Sequence, residues 1–130
     1  MQDRPTAPEL LDALAAMLFS QVREWVPRER RFQVLVAANV CAVVARELRA
    51  GAAPSLADAR LFRELLGHED APDPAPEEAE AAARASAAEL ARALRAGDLD
   101  ARLPKAIEWL REHVARKLAV ARPGYGDDGR

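Results

Sequence analysis

An apolar run over residues 34–45 is interrupted by a single polar residue, Asn39. A helix that is apolar on every side is stable only when other helices surround it. The run therefore predicts a buried central helix at about residues 28–50, closed by Gly51 as a left-handed C-terminal cap.

A second helical pattern precedes this run. Thr6 and Glu9 have the spacing of a capping box, which predicts that the first helix begins there, and Pro27 ends it. The link to the central helix is so short that we expect the two helices to form an antiparallel hairpin. The predicted inward stripe of the first helix is Leu11, Leu14, Leu18, Val22 and Trp25.

Three further helices follow in the pattern. The third is predicted from an N-cap at Ser55, with Asp58 completing the cap, to Gly67; the fourth covers about 77–96 and the fifth about 103–121. The predicted inward residues are Leu61, Phe62, Leu65 and Leu66 in the third helix, Ala83, Ala87, Leu90 and Leu94 in the fourth, and Ile107, Leu110, Val114 and Leu118 in the fifth.

The composition supports an all-α fold. Hydrophobic residues make up 50% of the chain and aromatic residues only 5%, and the excess is Ala and Leu, which favour helices.

We predict a single five-helix bundle over residues 1–123, with a flexible tail at 124–130. Residues 68–76 combine three prolines with acidic side chains, which predicts a mobile acidic loop.

Charge and cysteine content restrict the possible functions. The net charge of -2 provides no basic surface for nucleic acid. One cysteine, Cys41, cannot form an internal disulfide, and no Cys/His cluster predicts a metal site. The chain has neither a signal-peptide pattern at its start nor a membrane-spanning run, so we expect a cytoplasmic protein without a cofactor.

Asn39 is predicted to be a polar side chain inside the buried central helix. A buried amide needs hydrogen-bond partners, so we favour a structural role in which Asn39 binds backbone and positions the central helix. The alternative is a polar cleft formed by Asn39 and Arg46, two turns apart on one face, with Glu47 nearby.

Four arginines surround the turn between the first two helices, where a phosphate could bind. They are Arg23, Arg28, Arg30 and Arg31. Glu24 and Glu29 lie among them, however, and we favour local charge cancellation over an anion site.

The fifth helix carries a second face, rotated from its main stripe, which predicts a second contact. The contact could be another helix of the same chain or a twofold partner, and Trp109 favours a dimer interface. The face comprises Trp109, His113, Lys117 and Val120. Only Glu108 and Glu112 flank His113, so we predict no catalytic residue.

Several short segments, taken in order, resemble a small all-helical bacterial domain family of unknown function. They are Arg4-Pro5-Thr6, Glu9-Leu10-Leu11, Arg31-Phe32, Val36-Ala37-Ala38-Asn39, Arg46-Glu47-Leu48, Leu65-Leu66-Gly67, Leu94-Arg95-Ala96-Gly97-Asp98-Leu99-Asp100, and Lys117-Leu118-Ala119-Val120 with Pro123 and Tyr125. The chain departs from this family at Leu35, where relatives carry a basic residue, and in its long loop at 70–80.

The resemblance implies a function that the residues alone do not. Genes of this family typically lie beside acyl-CoA dehydrogenase-like flavoenzymes and aminoglycoside-phosphotransferase-like kinases. This implies a non-catalytic accessory module that binds one of these proteins, and we predict that it forms a homodimer through the fifth helix. The alternatives are a protein that binds a small acyl- or CoA-like anion and, less favoured, an uncharacterised enzyme.

Overall fold

The structure, a computed structural model, describes residues 4–125, and every regular element in that range is helical. The α-helices are α1 (Ala7–Met17), α2 (Arg23–Trp25), α3 (Arg31–Ala50), α4 (Ala53–Leu66), α5 (Ala79–Ala96) and α6 (Leu103–Ala121). A π-helical segment, Leu18–Val22, joins α1 to α2, so these elements together form the first predicted helix. The all-α class and its five helices are confirmed. Residues 126–130 of the predicted tail lie outside the described residues.

The chain divides into two compact units. Residues up to Gly51 and those from Val120 onward form the first unit, and Ala52–Ala119 form the second. The single domain over residues 1–123 stays a prediction.

The first unit begins with the predicted capping box. The backbone N–H of Thr6 donates to the Glu9 carboxylate at 2.7 Å, and the N–H of Glu9 donates to the Thr6 hydroxyl at 3.5 Å. These two bonds satisfy backbone donors that a helix start leaves without partners. The backbone bond to the carboxylate also lowers the pKa of Glu9.

Helix α1 packs against α3 within the first unit. Asp12 of α1 forms an ion pair with Arg49 near the end of α3, and Glu24 lies 3.3 Å from Arg31 at the start of α3. The predicted antiparallel hairpin is compatible with these two pairs, because they connect opposite ends of the two helices.

The prediction of a buried central helix is wrong. Val36, Val40 and Asn39 of α3 are exposed, and its buried residues are Ala38 and Ala45. Within the first unit, α3 packs mainly against helix one, which consists of α1, the π-helical segment and α2. One neighbouring helix can cover only one side of α3. The apolar run is therefore exposed on one side, at Val36, Ala37, Asn39 and Val40.

The core of the second unit lies where α4 packs against α5. Its buried residues are Leu61, Phe62, Leu65, Leu90, Leu99 and Ala106. The apolar stripes predicted for the third and fourth helices are confirmed, because Leu66, Ala87 and Leu94 pack against this core and Ala83 is buried.

The stripe predicted for the fifth helix is partly wrong. Ile107 and Val114 are 47% and 50% exposed, whereas Trp109 and Leu110 pack against the core of the second unit. The inward face of α6 runs through Ala106, Trp109 and Leu110. This face begins with an alanine and contains polar residues, so its hydrophobic signal is weaker than that of the face with Ile107 and Val114. The sequence pattern therefore predicted the wrong rotation of α6 about its own axis.

The acidic loop is attached to α4. Arg60 donates to both carboxylate oxygens of Asp73, at 2.8 and 2.5 Å, and Arg63 donates to the carbonyls of Ala71 and Pro72 at 3.3 and 2.6 Å. The hydrogen bonds from Arg60 hold the pKa of Asp73 below its ordinary value of 3.8. The mobility of this loop stays a prediction, but its middle has a defined attachment in the described structure.

This attachment predicts a pH-dependent loop. Because the pKa of Asp73 is lowered in the folded state, the attachment is complete above pH 3.8 and is lost as the pH falls through the lowered pKa. At neutral pH, Asp73→Asn removes the same charge, so we expect faster amide hydrogen exchange over residues 68–73. Asp70→Asn, in the same loop, is the matched control. Equal exchange rates in Asp73→Asn and wild type would contradict the attachment.

Candidate functional site

The predicted polar cleft does not form as proposed. Asn39 and Glu47 are exposed, so Asn39 is not the buried amide of the structural interpretation. Arg46 is partly buried, and its Nε donates to the carbonyl of Val120 at 2.5 Å. The guanidinium is thus engaged with backbone near the end of α6, within the first unit.

At the basic turn, one acid neutralises part of the positive charge. The Glu24 carboxylate lies 3.1 Å from Arg23 and 3.3 Å from Arg31, so one acid serves two of the four arginines. Arg30 donates to the Gln33 side chain at 3.2 Å. Arg28 is exposed and has no ion pair among the described residues.

The second face of the fifth helix contacts its own chain in part. Trp109 packs against the core of the second unit, and the ammonium of Lys105 lies 4.1 Å from its ring centroid. The His113 side chain is only 17% exposed. Lys117 is exposed and Val120 is half-buried. For Trp109 and His113, the described contacts correspond to the same-chain alternative.

A buried charge cluster joins α4 to α6 in the second unit. Arg116 donates twice to Oδ1 of Asp58, from Nη2 at 2.6 Å and from Nε at 3.1 Å. Nδ1 of His113 lies 2.8 Å from Oδ2, close enough for an ion pair with a protonated imidazole, although the atoms are not aligned as a hydrogen bond. Asp58 is the buried charged residue of the described chain, with 8% of its surface exposed.

Aromatic packing places the histidine in this cluster. The ring of His113 meets that of Phe62 edge to face, with centroids 5.0 Å apart and an interplanar angle of 64°. Phe62 lies one turn after Asp58 on α4, and Arg116 lies three residues after His113 on α6, so each helix presents its pair on one face. Both carboxylate oxygens of Asp58 therefore have a cationic or ionisable neighbour.

Sequence reasoning missed this cluster because it assigned Asp58 to a helix cap. Helix α4 begins at Ala53, with Ala52 as its N-cap residue, so Ser55 and Asp58 are not the cap pair that was predicted. A signal was nonetheless present. Asp58, Leu61, Phe62 and Leu65 follow the spacing of one helical face, which predicts that the Asp58 carboxylate points toward the core and needs a partner.

The chemistry available to the cluster is limited. An Asp–His pair can orient a general base, but a nucleophilic side chain must lie next to the other ring nitrogen. No serine, threonine or cysteine hydrogen-bonds to His113 within residues 4–125. No group of metal-binding side chains occurs in this range. We interpret the cluster as a structural link between α4 and α6.

An open cavity of about 510 Å³ lies in the second unit, and no residue of the charge cluster lines it. Its lining combines two arginines, two acids and three apolar residues, and none of them was a predicted site residue. The lining residues are Leu66, Glu89, Arg92, Ala93, Asp98, Leu99 and Arg102.

The fold and these sites define a small protein whose described elements are all helical. None of its helices, as far as the structure describes them, is long and apolar enough to cross a membrane. The chain belongs to the family described as Domain of unknown function (DUF6285), whose model matches residues 24–125. The resemblance to a small domain family of unknown function is therefore confirmed. No curated protein and no solved structure matches the chain.

The charge cluster predicts a stability effect. Asp58→Asn keeps the shape of the side chain but leaves Arg116 without its carboxylate, so we expect the free energy of unfolding to fall by about 1–3 kcal/mol in urea denaturation. The control is Glu80→Gln, which removes one partner of the exposed Glu80–Arg84 pair and should change stability little. If both variants unfold like wild type, Asp58 is not a structural link.

Proposed function

We propose that this chain is a non-catalytic accessory module that binds a partner protein through the end of helix one. The observation that carries the proposal is the exposure of Trp25, which leaves 72% of its surface in solvent. Tryptophan contributes more binding energy at protein interfaces than most residues, and its exposure to water is unfavourable without a partner. The family resemblance leads us to propose an acyl-CoA dehydrogenase-like flavoenzyme or a kinase as that partner.

The surroundings of Trp25 support this proposal. Phe19 is 56% exposed, and the guanidinium of Arg23 lies 5.0 Å from its ring centroid. Arg28 follows within the same turn and has no ion pair in the described part of the chain. Aromatic residues and arginine are enriched in protein interfaces, and the positive charge would suit an acidic surface on the partner.

Binding to the two purified candidate partners tests this proposal directly. An acyl-CoA dehydrogenase-like flavoenzyme and an aminoglycoside-phosphotransferase-like kinase from the source organism are each titrated with the protein by isothermal titration calorimetry. We expect one of them to bind, and Trp25→Ala to weaken that binding by about tenfold or more. Tyr125→Ala is the control, because Tyr125 is also aromatic and 59% exposed. Binding of neither protein, or equal affinities for Trp25→Ala and wild type, would contradict the proposal.

A second candidate function is the binding of a small anion, favoured by the cavity of the second unit. A volume of about 510 Å³ is within the range of small-molecule sites. Arg92 and Arg102 line it, and neither forms an ion pair among residues 4–125. Glu89 and Asp98 on the same lining oppose an anion, which is why we rank this function second.

Coenzyme A is the probe for the second function. A ligand present at about 100 times its dissociation constant stabilises a protein by about 2.7 kcal/mol, so the melting temperature should rise. The increase should disappear in the double variant Arg92→Gln/Arg102→Gln and persist in Arg84→Gln, an exposed arginine of the same helix α5. A melting temperature unaffected by coenzyme A would remove this candidate.

A further inference from the structure

Helix α3 exposes a stripe of large apolar side chains. Phe32, Val36 and Val40 recur at intervals of one turn and are 74%, 46% and 53% exposed. Val36 and Val40 each lie two residues from the buried Ala38, which places them on the opposite side of the helix. Such a continuous apolar stripe is typical of a surface that is covered by a partner.

The charges that flank this stripe have opposite signs at its two ends. Arg28 precedes Phe32 and Glu47 follows Val40. Both side chains are exposed, and neither forms an ion pair within residues 4–125. A face that is positive at one end and negative at the other is complementary to itself when two copies run in opposite directions.

Asn39 and Val40 lie at the midpoint between Phe32 and Glu47. Phe32 lies seven residues before Asn39, and Glu47 lies seven residues after Val40. A twofold axis between Asn39 and Val40 would therefore place Phe32 of one copy opposite Glu47 of the other. Arg28 lies one turn before Phe32, about 6 Å further along the helix, a distance that a long arginine side chain can span toward Glu47. An asparagine side chain both donates and accepts hydrogen bonds, so it can pair with its own copy. A single polar residue in an otherwise apolar helix–helix interface favours the register and orientation in which the two polar side chains meet.

We propose that the α3 face, defined as Phe32, Val36, Asn39, Val40 and Glu47, pairs antiparallel with the same face of a second copy of this chain, with Arg28 contributed from the turn just before α3. Burial of the stripe drives the association, Asn39 sets the register, and Arg28 and Glu47 form ion pairs across the axis. The dimer expected from the fifth helix is thereby assigned to another surface. This inference shares Arg28 with the proposed function, but each is tested at residues that the other does not use: Val40 and Glu47 for the dimer, and Trp25 for the partner.

Disulfide trapping tests the position of the axis. Cys41 is the only cysteine, so Cys41→Ala provides a background without thiols. Adding Val40→Cys places a thiol beside the axis, and we expect mild oxidation to convert most of the protein to a covalent dimer on a non-reducing gel. Ala85→Cys, exposed in α5, is the matched control and should stay mainly monomeric. If Val40→Cys crosslinks no more than Ala85→Cys, the proposed axis is wrong.

A charge exchange tests the pairing itself in solution. Sedimentation should show a dimer for wild type, and Arg28→Glu or Glu47→Arg alone should weaken it by about tenfold, since each places like charges together. The double variant Arg28→Glu/Glu47→Arg should recover wild-type affinity, which a folding defect would not do. Circular dichroism verifies the helical content of each variant.

Two further results distinguish the proposed dimer from partner binding through Trp25. A wild-type monomer, or a dimer that is equally tight in both single charge variants, would overturn the proposal. Trp25→Ala should leave dimer affinity unchanged even if it abolishes partner binding, so failure of the dimer and failure of the proposed function are distinguishable.

Discussion

The carboxylate of Asp58 imposes the strongest constraint in the second unit. A charge that is largely removed from water must have partners, because its desolvation is otherwise uncompensated. Arg116 and His113 provide them from α6, and this requirement determines which side of α6 faces α4. Ala106 and Trp109 turn toward the core of the second unit as a consequence, and Ile107 and Val114 remain exposed.

Much of the positive charge in the chain is engaged locally. Glu24 serves two arginines at the turn, Asp73 serves two on α4, and Arg46 caps a backbone carbonyl. Carboxylates that lie among the arginines weaken the positive electrostatic potential at the turn. The number of arginines is therefore poor evidence for a phosphate site. Arg28 lies outside these pairs, which is why the proposed interactions use it and not its engaged neighbours.

The apolar surface of the first unit has a different origin. Helix α3 is rich in valine and alanine, but α1 covers one side of it and the opposite side has large exposed residues. Burial of such residues is the main favourable contribution to association between proteins. Trp25 and the α3 face are separate parts of this surface, and our two interaction proposals assign one to a partner protein and the other to a second copy of the chain.

Local sequence signals determined the helices of this protein. Examples are the capping box of Thr6 and Glu9, the helix end at Gly67, and the stripe of Leu61, Phe62 and Leu65. Each of these signals depends on residues that are close together in the chain. These interactions act within one or two turns, so a linear pattern contains them. Tertiary structure alone decided that Asn39 is exposed, that α6 presents Trp109 inward, and that Asp58 meets Arg116 across 58 positions of the chain. Each of these depends on which helices become neighbours and how they are rotated, and hydrophobic periodicity does not specify the number of neighbours or the partner of a buried charge.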